Sequence, residues 1–208
     1  DLPPPIVDEI VRRYISHEAI ITEAKGWRSV PTQDDFHGWH NDAWYHPDLD
    51  EVPRQLKLAV YLSDVNSGEF QYLRGTHGQR RHKHFSVREL GDKLERRTSM
   101  RATAGTAFLF DVSGIHRQAI PILEERDVVF FVYNDPAVRI QELDERARRY
   151  RPLQLCASHL GALSPRQHAL LGIGNGALER AAARPEETAD AKLEQQRDIF
   201  DRAYHASI

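Results

Sequence analysis

The stretch "GTAFLFDVSGIHRQAI", Gly105 to Ile120, combines the features that decide the fold of this chain. Its first half is a nearly continuous apolar run of strand-forming residues, and the residues that follow it are typical of a turn. His116 comes directly after this turn, so we expect it to begin the next strand. Short apolar runs of this kind suit strands that are buried on both faces, as in a barrel or a sandwich.

Three further stretches have the same β texture: "QLKLAVYLSDV" (55–65), "GEFQYLRG" (68–75) after an "NSG" turn, and "RDVVFFVYN" (126–134). Turn residues separate these runs at short intervals, which favours a jelly roll or a related barrel. The sequence therefore predicts a mainly β protein with helices, an α+β chain with a cupin-like core.

The 208 residues fit one domain with three zones. In residues 1–17, Ile6, Ile10, Val11 and Tyr14 recur at helical spacing and predict an amphipathic helix. The β core spans residues 18–135, and "SVRELGDKLERR" (86–97) predicts a helix across one of its loops. Residues 136–208 are rich in strong helix formers and predict a helical extension, with a helix start at Ser164. This extension could serve as a lid, as a homodimer surface or as plain packing.

Composition argues against several classes of protein. The net charge of −3 and the pI of about 6.4 give no reason to expect a nucleic-acid partner. The single cysteine, Cys156, excludes an intrachain disulfide and a thiolate zinc cluster. No apolar run approaches the roughly 18 residues of a transmembrane helix. We therefore expect a cytoplasmic protein without a membrane partner.

The stretch "GWHNDAWYHPD" (38–48) contains the pattern His-x-Asp twice. Residues i and i+2 of a strand point to the same face, so such a pair can hold one metal ion together. Proline separates His46 from Asp48, and proline is confined to sheet edges and turns. We therefore expect His40 and Asp42 to bind the metal and the second pair to lie in the loop beyond.

Two further residues complete a candidate site. His116 supplies a third ligand from another strand, and two histidines with one carboxylate are the ligand set of non-haem Fe(II) oxygenases. Arg126 lies on an otherwise apolar strand face, where an unpaired guanidinium is costly, and it suits a bidentate grip on a carboxylate such as the distal one of 2-oxoglutarate. Taken singly, His116 could be a hydrogen-bonded core residue, Asp42 could cap a turn, and Arg126 could pair with Glu124 or Glu125.

These motifs, in this order, resemble the phytanoyl-CoA dioxygenase family over roughly residues 28–135. The middle stretch carries most of the resemblance, because "YLRGTHG" (72–78) stands where the family commonly has Pro-Gly-Ser-His. The resemblance implies a double-stranded β-helix fold. It also implies an Fe(II)- and 2-oxoglutarate-dependent dioxygenase that uses O2 to hydroxylate an unactivated C–H of a small molecule.

The resemblance assigns roles to individual residues. His40, Asp42 and His116 would bind Fe(II), and Arg126 would bind the distal carboxylate of 2-oxoglutarate. Gln118 stands where the family often has a small hydroxyl residue and is a departure from the pattern. Lys57 and Tyr61 share one strand face by alternation, and they could belong to the cosubstrate site or simply face solvent. A carboxylate at Asp42 argues against halogenation.

Candidate substrate contacts are less specific, and each has an ordinary alternative. The aromatic side chains could wall a substrate pocket or belong to the core, and the basic run "GQRRHKHF" (78–85) could attract an anionic substrate or be a solvated loop. The candidates are Trp39, Trp44, Tyr45, Arg80 and Arg81. Two other functions remain open: a non-oxidative cupin-like isomerase or hydrolase that uses the same triad and does not need Arg126, and a ligand-binding or regulatory protein with a degenerate site.

Overall fold

The computed structural model describes residues 4–42, 52–79, 84–136 and 161–173. Within these ranges the chain is mostly antiparallel β-sheet with few helices, which confirms the mainly β prediction. The predicted helical runs within 137–160 and 174–208 lie outside the described residues. Among the residues described, no helix is both long enough and apolar enough to cross a bilayer.

The larger sheet has four antiparallel strands. In spatial order they are β1 (Ile20–Ser29), β9 (Arg126–Asn134), β3 (Leu56–Tyr61) and β7 (Ala107–Asp111). Three of these strands coincide with apolar runs that predicted strands.

The smaller sheet has five antiparallel strands, two of them only two residues long. In spatial order they are β5 (His84–Phe85), β2 (Trp39–His40), β8 (His116–Gln118), β4 (Val65–Leu73) and β6 (Arg97–Ala102). His116 begins β8, as the sequence predicts.

Side-chain alternation along the strands divides the core into three layers. The inter-sheet cluster joins the facing sides of the two sheets: Ala59, Tyr61, Val65, Phe110, Val112 and Val128, with Phe70, Tyr72, Phe108 and Phe130 packed against them. A second cluster covers the outer face of the larger sheet, and a third covers the outer face of the smaller sheet. Residues that point between the sheets are therefore the ones that can meet in a common site.

The N-terminal helix α1 (Pro5–Tyr14) is present, but its buried face differs from the expected one. Val7 and Val11 face the larger sheet, whereas Ile6 and Ile10 are 61% and 40% exposed. The apolar residues of this helix cover a wide arc, and the sheet can bury only the part of that arc that faces it. The sequence predicted the helix correctly but not which side of it packs.

The predicted turn at "NSG" is wrong, because β4 runs through it. The pairing of β4 with β6 is irregular between Val65 and Phe70, which is the mark of a β-bulge. Gly68 lies in this interval with φ of 62°, and a Cβ there would approach Ile122 Cγ1 to 2.7 Å. The glycine therefore marks a bulge under close packing, and the turn lies just before the strand.

Two short helical segments match predicted helices. The segment 86–97 forms helix α2 (Val87–Leu90), with a capping box between Ser86 and Glu89, and then a 3-10 helix (Gly91–Arg96). Helix α3 (Pro165–Leu170) begins with a capping box at Ser164, as predicted. Leu170 is buried and joins the cluster on the outer face of the larger sheet.

Candidate metal centre

His40, Asp42 and His116 converge on the inner side of the smaller sheet. His40 of β2 lies directly opposite His116 of β8 in the antiparallel register, and their ring centroids are 4.5 Å apart. One ligand atom of each of the three residues lies within 4.8 Å of the other two. The Nε2 atoms of both histidines lie 3.6 Å from an Asp42 carboxylate oxygen. The structure thus brings together the three residues that the sequence singled out.

Asp42 reaches this position differently from the expectation. Strand β2 ends at His40, so Asp42 does not share a regular strand face with it. Instead, the backbone N–H of Asp42 donates a 2.8 Å hydrogen bond to the carbonyl of Val112. This bond fixes the backbone of Asp42 beside the turn that precedes His116.

Both histidines are held in one tautomer by backbone carbonyls. Nδ1 of His40 lies 3.0 Å from the Gly38 carbonyl, and Nδ1 of His116 lies 2.8 Å from the Gly114 carbonyl. A carbonyl can only accept, so each Nδ1 donates its proton to the carbonyl, and Nε2 is the nitrogen that faces the triad. Such outer partners are typical of metal-ligating histidines, because they fix the ring orientation.

The ionisation of the triad also fits a metal site. Burial, followed by the neighbouring His116 ring, lowers the pKa of His40 to about 3, so this imidazole is neutral at ordinary pH. Burial alone would raise the pKa of Asp42, but the Lys57 ammonium and the two imidazoles hold it well below its ordinary value. A neutral His40 imidazole and an ionised Asp42 carboxylate are the protonation states in which these two groups bind a divalent ion.

Lys57, on the inner face of β3, is directed at this carboxylate. Its Nζ lies 2.5 Å from Asp42 Oδ2, and its side chain is only 12% exposed. The ammonium lies 5.8 Å from the centroid of the Phe110 ring and 5.6 Å from that of Phe130. Lys57 therefore lies at the triad rather than in solvent, which were the two positions that the sequence left open.

Arg126 begins β9 and is buried between the sheets, at 7% exposure. In the amide orientation that satisfies both groups, Gln118 Oε1 accepts from Arg126 Nη2 at 2.5 Å and from Nε at 3.1 Å. Glu124 and Glu125 do not pair with Arg126, and Glu125 instead lies 3.9 Å from Arg28. Among the described residues, no carboxylate forms an ion pair with Arg126, and its hydrogen-bond partner there is the neutral Gln118 amide.

Tyr61 is buried on the same inner face and contributes to the wall around Arg126. Its hydroxyl donates to the Met100 carbonyl at 2.8 Å and accepts from the Phe70 N–H at 3.4 Å. Burial raises the pKa of Tyr61, while the nearby Arg126 lowers it. These contacts place Tyr61 near Arg126 and not at the triad.

The candidate substrate residues are only partly placed. Trp39 points to the opposite face from His40 and packs with Leu73, Leu90 and Ile115, beneath the guanidinium of Arg117 at 4.6 Å. The structure therefore puts Trp39 in the core, the alternative that the sequence left open. The remaining candidates, and the second His-x-Asp pair, lie outside the described residues: Trp44, Tyr45, His46, Asp48, Arg80 and Arg81.

A Gly-x-His pattern precedes both histidines of the triad, and the sequence prediction did not use it. "GWH" (38–40) and "GIH" (114–116) each place a glycine two residues before a ligand histidine, and each glycine carbonyl binds that histidine. Gly38 has φ of 54°, and a Cβ at Gly114 would lie 1.8 Å from Tyr72 Oη. The pattern alone does not single out these two histidines, because it also occurs as "GTH" (75–77).

A buried hydrogen-bond chain that the sequence did not predict supports the turn before His116. Asp111 accepts from the Ser113 N–H at 2.7 Å and from the Tyr14 hydroxyl at 2.5 Å. Ser113 Oγ in turn accepts from the Gly78 N–H at 2.9 Å. The N-terminal helix is thereby tied to the turn that precedes His116.

No family model and no curated protein sequence matches this chain. The crystal structure of EctD from S. alaskensis with 2-oxoglutarate and 5-hydroxyectoine is 21% identical, with a TM-score of 0.51 over 62% of this chain and 48% of EctD. The structure of EctD with bound Fe is 19% identical, with a TM-score of 0.50 over 62% of this chain and 49% of EctD. This chain thus spans about half the length of EctD. The likeness establishes that the chain has the β-rich, cupin-like fold of EctD.

Proposed function

We propose that this protein is a non-haem Fe(II)- and 2-oxoglutarate-dependent dioxygenase on a double-stranded β-helix core. Its reaction is the hydroxylation of an unactivated C–H of a small molecule, with release of succinate and CO2. One observation carries the proposal: a His-Asp-His triad and a buried arginine without a carboxylate partner among the described residues face the same space between the sheets. The motifs that resemble the phytanoyl-CoA dioxygenase family and the fold shared with EctD, an iron-binding protein also crystallised with 2-oxoglutarate, support it.

The spacing of the two parts of the site suits a short dicarboxylate. His116 and Gln118 are two residues apart on β8, which is about 7 Å along a strand. His116 marks the metal end, and Gln118 marks the end where it accepts from Arg126. A molecule that binds the metal through one end would present its other carboxylate to the guanidinium.

Each residue has a defined task in this proposal. His40, Asp42 and His116 would hold Fe(II), and a set of three protein ligands leaves coordination positions for 2-oxoglutarate and O2. When bound, the iron with 2-oxoglutarate and O2 supplies the oxidising power, and the protein supplies placement and exclusion of water. Arg126 binds the distal carboxylate, and Gln118 fixes the plane of its guanidinium.

The apolar side chains of the inter-sheet cluster exclude water from the site. Phe70, Phe110 and Tyr72 pack with ring centroids 5.2–6.4 Å from that of His116. Tyr61 closes the wall near Arg126. A low-dielectric wall strengthens the attraction between Arg126 and a bound carboxylate.

The test is an anaerobic titration of the Fe(II)-loaded protein with 2-oxoglutarate, followed by admission of oxygen. We expect a metal-to-ligand charge-transfer band on titration, and succinate release that a suitable substrate stimulates. A screen of candidate substrates for stimulated succinate release then identifies the substrate class. Absence of the band and of succinate, together with iron binding that His40→Ala leaves unchanged, would refute the proposal. Full activity in Arg126→Ala without 2-oxoglutarate would favour a non-oxidative metalloenzyme.

A further inference from the structure

One carboxylate serves two cations in this site. Asp42 is the single anionic ligand of the triad, and its Oδ2 already contacts the Lys57 ammonium at 2.5 Å. No other carboxylate of the described ranges forms an ion pair with Lys57. The side chains of both residues are largely shielded, so the surrounding solvent screens their charges only weakly.

Two aromatic rings and one carboxylate hold the Lys57 ammonium at the site. The Phe110 and Phe130 rings flank the ammonium, and Asp42 is its hydrogen-bond acceptor. A buried lysine without an acceptor is costly, so Lys57 gains nothing by withdrawing into the apolar space between the sheets. We therefore expect it to keep its place beside the carboxylate when the triad is loaded.

This arrangement changes the charge that an incoming metal ion meets. With Lys57 in place, the positive charge of the ammonium offsets the negative charge of Asp42, and the ligand set is neutral overall. A divalent ion then gains less attraction than it would from an unpaired carboxylate, and it is repelled by the ammonium. A dianion bound at the open side of the metal would relieve that repulsion.

We propose that Lys57 couples metal binding to cosubstrate binding, by weakening the affinity of the triad for a divalent ion until a dianion binds with it. The metal-only half of this inference rests on the ion pair between Lys57 and Asp42. The dianion half rests on the proposed function, in which the dianion is 2-oxoglutarate. Coupling of this kind is reciprocal, so the metal raises the affinity for 2-oxoglutarate by the same factor.

The experiment is calorimetric titration with Fe(II) under anaerobic conditions, with and without saturating 2-oxoglutarate. In the wild type we expect 2-oxoglutarate to tighten Fe(II) binding by roughly 5- to 150-fold. Lys57→Met should bind Fe(II) alone about tenfold or more tightly than the wild type, with a smaller gain on addition of 2-oxoglutarate. The matched control is Lys25→Met, which removes a lysine paired with Glu23 on β1 and should behave as the wild type.

Lys57→Gln keeps a hydrogen-bond donor for Asp42 without the charge, and it carries the test if Lys57→Met does not fold. Metal-only affinity that falls or stays unchanged in Lys57→Gln would overturn the inference, because Lys57 would then only orient Asp42. If neither the wild type nor Lys57→Gln binds 2-oxoglutarate, but Lys57→Gln still binds Fe(II) more tightly than the wild type, the proposed function is refuted. The competition of Lys57 and the metal ion for Asp42 is then still supported. If 2-oxoglutarate binds but tightens Fe(II) equally in wild type and variant, the coupling is refuted and the proposed function is untouched.

Discussion

Replacement of Arg126 by methionine separates a functional role of this residue from a structural one. The guanidinium is 7% exposed and has Gln118 as its hydrogen-bond partner, with no ion pair to a carboxylate of the described residues. Burial lowers the pKa of Arg126, while the nearby Tyr61 and Glu69 raise it. A buried arginine without an anionic partner destabilises the fold, so we expect Arg126 to bind an anion.

The expected effects on stability and on affinity therefore have different sizes. Loss of the hydrogen bonds to Gln118 costs about 1 kcal/mol, because its amide keeps Ser29 as a partner. Removal of a poorly compensated buried charge offsets this loss, since replacing buried charges by apolar side chains is often neutral or stabilising by about 1–4 kcal/mol. We expect the free energy of unfolding of Arg126→Met to lie within about 1 kcal/mol of the wild type, or above it.

The affinity for 2-oxoglutarate should fall much further. A hydrogen bond to a charged group contributes about 1.5–3 kcal/mol, and each 1.4 kcal/mol is about a tenfold change in the dissociation constant. Loss of the grip on the distal carboxylate therefore predicts an affinity that is roughly 10- to 150-fold weaker. Fe(II) affinity in the absence of 2-oxoglutarate should not change, because Arg126 does not touch the triad.

The assay is urea unfolding for stability and anaerobic spectroscopic titration for 2-oxoglutarate affinity, on the same preparations. Arg28→Met is the matched control, because Arg28 is an exposed arginine that binds Asp127, the residue next to Arg126, through two hydrogen bonds of 2.8 and 2.7 Å. It should leave 2-oxoglutarate affinity unchanged. If Arg126→Met loses about 3–5 kcal/mol of unfolding free energy while its affinity for 2-oxoglutarate is unchanged, Arg126 belongs to a structural ion pair. That result would refute its role in binding 2-oxoglutarate.

Three further predictions concern the framework of the site. Gly114→Ala would place a Cβ 1.8 Å from Tyr72 Oη, so it should lower the unfolding free energy in urea by about 1–3 kcal/mol. It should also weaken Fe(II) binding, and an unchanged Fe(II) affinity would contradict a role of Gly114 in placing His116. Tyr14→Phe removes the donor at 2.5 Å from buried Asp111 and should lower the unfolding free energy by about 1–3 kcal/mol, where no change would argue against a role for this contact. Burial raises the pKa of the Tyr133 hydroxyl to about 12, so the contribution of this tyrosine to stability is full below pH about 10 and is lost towards pH 12. Tyr133→Phe should remove up to about 3 kcal/mol of this alkaline loss of stability. An identical dependence of the unfolding free energy on pH in wild type and variant would refute the prediction.

Local patterns were enough to predict strands β3, β4, β7 and β9 and to single out the three residues of the candidate metal centre. Residues 107–110 and 128–133 form continuous apolar runs, and such runs predict strands packed on both faces without knowledge of their neighbours. The His-x-Asp pattern and the histidine after a turn are also local, and the three side chains that they single out lie together in the structure.

Features that depend on packing between elements were not predictable in the same way. Strands β2 and β5 have two residues each, too few for any periodicity, so their pairing cannot be read from composition. The bulge at Gly68 resembles a turn in sequence because both need a residue with positive φ. The buried face of α1 depends on where the larger sheet lies, and the apolar residues of the helix do not specify this.

The anionic and the cationic residues of the site lie on different sheets. This explains why the residues of the triad were easier to predict than the contacts of the two cations, Lys57 and Arg126. The triad belongs to the smaller sheet and the segment after β2, whereas Lys57 and Arg126 extend from the larger sheet. Alternation tells which residues share one strand face, but it does not tell which faces oppose each other across a core. Contacts such as those of Lys57 with Asp42 and of Arg126 with Gln118 exist only when the sheets close. Because each cation lies opposite a different part of the smaller sheet, an anion bound between the sheets would contact both sheets at once.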